Sequence, residues 1–306
     1  MVGKIAGATA LSIPRISCIV NALIRMLLDA AIILKRNYVS VSGRGERWLV
    51  FAHGFGCDQK MWRFVAPAFE DDFRVVRFDY VGAGRSDGAA YDPVRYGSLE
   101  GYASDVIEVI DALGAREVVF VGHSVSGVVG LLASIRRRDL FSHLILVCPS
   151  PCYINRLPGY EGGFNQADIE GLLDLMDKNP LGWAGFLAPM VMKNADRPEL
   201  GAELEQSFCA MKPEVARQFA RVTFFSDNRD DLVKVQTPTH VLQCTNDSVA
   251  PESVGRFVHR QISGSTFHQL SASGHCPHVS DPEETIRAIR SYLQAARVSP
   301  EANRRA

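Results

Sequence analysis

Ser124 closes a run of β-formers, Val118-Val119-Phe120-Val121-Gly122-His123, and is followed by Val125-Ser126-Gly127 and a helical pattern. Small residues at minus two and plus two let a strand turn sharply into a helix, and such a turn presents a serine hydroxyl as a nucleophile. Gly122 fits the Gly-x-Ser-x-Gly pattern, whereas the plus-two place holds Ser126, with Gly127 after it. That place packs against a neighbouring strand, so it needs small volume. A serine here can also be a plain helix cap. The two readings part on what else the chain offers, because an attacking serine needs a base, an acid to orient the base, and N–H donors for an oxyanion.

A base is available in Ser273-Gly274-His275-Cys276-Pro277-His278, just after the strand-like Thr266-Phe267-His268-Gln269-Leu270. Gly274 frees the loop to turn the His275 imidazole back toward a sheet edge. His278 is the rival, but it lies nearer a helix start at Asp281-Pro282, where a structural role suits it better. His123, beside the nucleophile, has no comparable loop position. For the acid, Thr239 to Cys244 reads as a strand and runs into Thr245-Asn246-Asp247-Ser248. Asp247 can be a turn residue, yet the order Ser124, Asp247, His275 is that of an α/β-hydrolase triad. Glu252 is a weaker acid because Pro251 puts it inside a helix start. Arg47 to Ala52 reads as a buried strand ending in His53-Gly54-Phe55-Gly56, whose glycines allow close backbone approach. The oxyanion donors are assigned to the N–H groups of Phe55 and Val125.

All four pieces follow apolar strand-like runs within a few residues. In a parallel sheet such loops emerge at one edge, where α/β proteins bind ligands. Further runs at Phe73 to Asp79, Glu117 to His123 and His143 to Cys148 alternate with helical patterns such as Leu99 to Leu113, which stops at Gly114. The helix from Ser124 ends in Arg136-Arg137-Arg138, a triplet explained by the helix dipole without a nucleic-acid partner. From Pro151 to Asp231 the alternation gives way to helix with Pro, Gly, Met and aromatics. This reads as a helical lid over residues 151–231, inserted between core segments 36–150 and 232–297. Its Trp183, Phe186 and Met190, together with Phe55 from the loop after the Arg47 to Ala52 strand, are the expected substrate wall around a mostly apolar pocket.

From about Val41 to Leu293 the chain resembles the RsbQ-type α/β-hydrolases, the group holding the bacterial stress-response hydrolase RsbQ and the plant strigolactone and karrikin receptors. The resemblance rests on His53-Gly54-Phe55-Gly56-Cys57-Asp58-Gln59, Phe78-Asp79-Tyr80-Val81-Gly82-Ala83-Gly84, Gly122 to Gly127 and Gly274 to His278. Pro149 to Tyr153 and Phe224 to Asp227, at the two ends of the lid, match it as well. It implies an α/β-hydrolase fold with a mostly parallel sheet, a four-helix lid, the triad Ser124, Asp247 and His275, and the oxyanion donors Phe55 and Val125. It also implies a small hydrophobic ester or lactone as ligand and signalling through a protein partner such as a PAS-domain phosphatase. Ser126 at plus two is familiar in the receptor branch. The alternatives are a general metabolic carboxylesterase, a C–C hydrolase or a cofactor-free haloperoxidase, which can use the same residues. A haloalkane dehalogenase needs a carboxylate where Ser124 stands. The acyl-enzyme route calls for no metal and no organic cofactor.

The 306 residues carry a net charge of −1, which gives no footprint for nucleic acid or an anionic membrane. Seven cysteines without metal-ligand spacing point to reduced thiols and a cytoplasmic location. Residues 1–35 form an apolar extension interrupted by Lys4, Arg15, Arg25 and Asp29, so no stable membrane insertion is expected, since a span takes about twenty apolar residues. Ser17, Asn21, Arg25 and Asp29 recur every fourth position, one stripe of an amphipathic helix. A signal peptide, suggested by Lys4 and the small residues after it but with a short apolar run ending at Pro14, and translation from Met26 in place of Met1 are the alternative accounts of this segment. Residues 298–306, rich in Arg, Glu and Ala, are expected to be disordered.

Overall fold

A computed structural model describes residues 13–298; the expectations for the first twelve residues and the last eight lie outside them. The chain opens with α1 (Ile13–Arg36) and β1 (Ser40–Ser42), then β2 (Arg47–Ala52), β3 (Phe73–Arg77), α2 (Leu99–Ala112), β4 (Val118–His123), α3 (Val125–Arg136) and β5 (Phe141–Val147). Four helices follow, α4 (Gln166–Lys178), α5 (Pro180–Met192), α6 (Pro198–Cys209) and α7 (Pro213–Phe224). The alternation then resumes with β6 (Thr239–Asn246), α8 (Glu252–Gln261), β7 (Thr266–Ser273), the short α9 (Pro277–Ser280) and α10 (Pro282–Val298).

The seven strands form one sheet in the order β1-β3-β2-β4-β5-β6-β7. All neighbours are parallel except β1 and β3. Strand composition explains the layering. A parallel strand is covered on both faces and reads as a continuous apolar run, and every residue of β4 is buried. Alternate side chains of β2 divide between two cores: Leu49 and Phe51 meet Trp62, Phe69, Ile289 and Leu293 on one face, while Val50 and Ala52 meet residues of α2, α3 and α8 on the other. The expected strands are all present; β6 and β7 run on to Asn246 and Ser273, which carries their ends to the site. The edge strand β1 was not foreseen, because Ser-Val-Ser is too short to show alternation.

Helix ends follow local chemistry. Gly114 takes φ +62 just past α2, the left-handed cap that glycine adopts without cost, and α5, α6 and α7 each carry a proline in the first turn. The two ends of the inserted helical stretch are pinned together, since Cys152 and Asp227 form an antiparallel bridge and the Asn228 N–H donates to the Pro151 carbonyl at 2.8 Å. In the basic triplet, Arg136 pairs with Glu100, and Arg137 with Asp111 and Asp139. The C-terminal end of α1 is tied to the body through Arg36, which reaches Asp105 and Glu108 at 3.2 and 2.7 Å. Among the described residues no helix is long and apolar enough to cross a membrane.

Candidate active site

Ser124 lies between β4 and α3 with φ 56 and ψ −125, a conformation that a non-glycine residue holds only when its surroundings enforce it. Two contacts enforce it here. The Ser124 N–H donates to the Val147 carbonyl at 2.8 Å, and its own carbonyl accepts from Gly127 N–H at 2.9 Å. Gly122 is dictated by the turn, because a Cβ there would stand 2.4 Å from the Ser126 carbonyl oxygen. Ser126 is more than a small residue: its hydroxyl donates to the His53 carbonyl and lies 2.9 Å from the Tyr80 hydroxyl. It therefore stitches the nucleophile turn to the loops after β2 and β3.

The structure brings Ser124, His275 and Asp247 together. His275 Nε2 lies 2.8 Å from Ser124 Oγ, and His275 Nδ1 lies 2.7 Å from Asp247 Oδ2. A carboxylate only accepts, so Nδ1 carries the imidazole proton and Nε2 is left to accept from the serine hydroxyl. Asp247 is itself fixed, its Oδ1 accepting from the N–H groups of Val249 and Ala250 at 2.8 and 3.0 Å. The base loop is shaped by α5. His275 N–H donates to the Val191 carbonyl at 2.8 Å. Gly274, at φ +83, passes so close to α5 that a Cβ would fall 2.0 Å from the Met192 carbonyl oxygen. The acid loop is tied to the same helix end, where Ser248 Oγ donates to the Met190 carbonyl at 2.5 Å.

The rivals sit elsewhere. His278 is fully buried, its ring stacked on Trp62 at 4.4 Å, and Glu252 is ion-paired with Arg256 at the start of α8. Phe55 follows Gly54, whose Cβ, if present, would be 3.3 Å from Ser124 Cβ; the β2 loop thus runs alongside the nucleophile. Val125 is the first residue of α3. Among the described residues no backbone partner takes up the N–H of Phe55 or of Val125.

Ser124 and His275 open into a mostly apolar cavity walled by Phe55, Tyr153, Leu187, Val191, Phe208 and Phe224. It measures about 40 Å³ as the space open to the centre of a water molecule. Of the expected wall residues, Phe55 is in place. Trp183 sits one layer behind, against Phe55 and Phe208 at 6.2 and 5.2 Å. Phe186 is 57% exposed, and Met190 is half-buried off the wall. The phase of α5 explains this, since Leu187 and Val191, one turn apart, face the cavity and leave Phe186 and Met190 on the neighbouring stripe.

Tyr153, missed by the sequence reading, has its hydroxyl 3.2 Å from Ser124 Oγ. Its position in the loop following β5 was the available signal, because that loop emerges at the same sheet edge as the others. Burial raises the Tyr153 phenol above its usual range, so the group stays a neutral donor and acceptor. Burial also pushes the cavity thiol of Cys57 up to about 12 and that of Cys276 well above its ordinary value. Both therefore stay protonated and poor nucleophiles beside the serine. Among the described residues, Cys148, Asp247 and His275 place donor atoms within 4.8 Å of one another, the spacing of metal ligands. The Asp247–His275 hydrogen bond already occupies two of those atoms, and burial keeps the Cys148 thiol protonated.

Residues 49–288 match the model of the alpha/beta hydrolase family. The chain is 35% identical over 263 residues to Karrikin insensitive 2 receptor CA of Petunia hybrida, covering 86% of this chain and 97% of that one. It is 37% identical over 262 residues to Strigolactone esterase D14 of Arabidopsis thaliana, covering 85% and 97%. Among solved structures, a hydrolase from Oleispira antarctica is 44% identical with a TM-score of 0.85, covering 87% of this chain and 97% of that one.

Proposed function

Because the chain belongs to the alpha/beta hydrolase family, we propose that it is a serine hydrolase that cleaves a small hydrophobic ester or lactone through an acyl-enzyme on Ser124. The observation that carries this reading is the relay of two short hydrogen bonds, Asp247 to His275 to Ser124, opening into an apolar cavity. Ser124 Oγ attacks the carbonyl carbon while His275 Nε2 takes its proton, and Asp247 steadies the resulting imidazolium. The oxyanion is received by the N–H groups of Phe55 and Val125. His275 then returns the proton to the leaving alkoxide, which in a lactone stays tethered to the acyl group. Water, deprotonated by the same imidazole, releases the acid.

The enclosed, mostly apolar cavity suits a small hydrophobic ligand, and the helices α4 to α7 serve as a lid over it. We assign the chain to the RsbQ type, acting in the cytoplasm, with an occupied lid read by a protein partner such as a PAS-domain phosphatase. Support for the signalling role comes from relatives named as receptors and from the placement of the α5 end against both the acid and base loops. A metabolic carboxylesterase is the competing reading, favoured by the relatives named as esterases.

A fluorophosphonate probe should label wild type and spare Ser124→Ala. A panel of short aryl esters and butenolides should show turnover that falls by roughly 10⁴ to 10⁶ in Ser124→Ala, with the fold retained. Turnover surviving in that variant would place the nucleophile elsewhere. Slow, near-single turnover on butenolides supports the signalling role, whereas rapid multiple turnover on simple esters supports the metabolic one.

A further inference from the structure

His123 stands immediately before the nucleophile, and its Nε2 lies 2.8 Å from the main-chain carbonyl of His275. A carbonyl only accepts, so Nε2 carries the proton. The ring is buried and belongs to a column: Trp62 stacks on His278 at 4.4 Å, His278 meets His123 at 4.4 Å, and His123 meets His275 at 4.9 Å. Gly54 makes room for it, since a Cβ there would lie 2.7 Å from His123 Nδ1. The column therefore runs from the core, past the β2 loop, to the base.

We propose that His123 is a positioning residue for His275, acting through the main-chain carbonyl of that residue while the rings of Trp62 and His278 fix its own place. The main chain of His275 is then clamped on both sides. Its N–H goes to the Val191 carbonyl and its carbonyl takes the His123 proton. With the backbone fixed at both groups, the imidazole has only its own side-chain torsions left, and those are set by Asp247 and Ser124. The surroundings keep His123 neutral. Burial comes first, then the nearby imidazoles of His278, His275 and His53, and together they hold its pKa well below the ordinary histidine value. A neutral donor holds the base without opposing the positive charge that His275 acquires on attack.

The inference rests on His275 being the base, so its test separates the two. Ser124→Ala and fluorophosphonate labelling judge the hydrolase reading on their own. His123→Gln, His123→Asn and His123→Leu judge the positioning. A glutamine amide nitrogen reaches the place of the imidazole Nε2, whereas that of asparagine stops near Nδ1. With a soluble aryl ester, His123→Gln should keep kcat within about threefold, while His123→Asn and His123→Leu lose roughly 10- to 100-fold with KM nearly unchanged. The labelling rate should follow kcat, and the melting temperatures of the Gln and Asn variants should agree. If the leucine variant fails to fold, the Gln and Asn pair still decides. Equal losses in Gln and Asn, or full activity in Asn, overturn the proposal.

Discussion

Replacing Asp247 by asparagine should disable the base by giving it the wrong proton, and the structure says which way the amide will face. The carboxylate accepts at Oδ1 from the N–H groups of Val249 and Ala250, and at Oδ2 from His275 Nδ1 and, at 3.4 Å, from Gln243 Nε2. An amide has a single acceptor oxygen. Turned toward His275, that oxygen would leave two buried backbone N–H groups facing an NH₂, at about 1–3 kcal/mol each. Turned toward Val249 and Ala250, it keeps both bonds and presents the NH₂ to the imidazole. The imidazole then accepts at Nδ1 and carries its proton on Nε2, where the serine proton should go. A wrong-tautomer base of this kind costs on the order of 10⁴ in kcat, about 5 kcal/mol of transition-state stabilisation at roughly 1.4 kcal/mol per decade. Packing is unchanged but the contact from Gln243 Nε2 is lost, so the fold should be retained with a modest fall in melting temperature, and KM should stay close to wild type because the cavity wall is untouched. The assay is steady-state hydrolysis of a soluble aryl ester, with fluorophosphonate labelling as an independent report on the nucleophile. A folded Asp247→Asn protein with kcat within about tenfold of wild type would refute the orienting role of the carboxylate.

Other perturbations read the scaffold. Ser126→Ala removes the bridge between the His53 carbonyl and the Tyr80 hydroxyl; the stranded groups should lower stability by about 1–3 kcal/mol in urea unfolding, and an unchanged midpoint would show that the bridge is idle. Gly274→Ala forces a side chain onto the Met192 carbonyl at φ +83, so it should cost at least about 1–3 kcal/mol and reduce kcat by moving the base loop; a variant of normal stability and rate would mean that the close approach is unimportant. Acid should also destabilise the fold before most carboxylates titrate. Burial lowers the pKa of His278 to about 3 and that of His240 to about 4, and holds His123 well below 6.5. The unfolded chain takes up these protons first, so stability is full above about pH 6.5 and falls below it, by about 2 kcal/mol for each of His240 and His278 at pH 5. Urea midpoints that do not change between pH 7.5 and 5 would contradict the neutral burial of these rings.

What was legible in the sequence follows from where the chemistry is anchored. Ser124, Asp247 and His275 each sit just beyond a strand with a distinctive composition, and a parallel sheet delivers all such strand ends to one edge. Three residues up to 151 positions apart in the chain could be brought together by that rule alone. His275 could be preferred to His278 because Gly274 announces a loop; the structural reason, passage beneath the Met192 carbonyl, is a tertiary contact that no local pattern records. The cavity wall was less legible for the same reason. Its residues come from helices whose rotation about their axes is set by packing, and α5 is apolar almost all round, from Trp183 through Phe186 to Met192. A helix with no polar stripe gives no phase. Aromatic and sulfur side chains single out Trp183, Phe186 and Met190 in the sequence, whereas the plainer Leu187 and Val191 hold the wall. His123 shows the converse limit: its place in β4 marked it as buried, and only the carbonyl of a residue 152 positions away gives that burial a purpose.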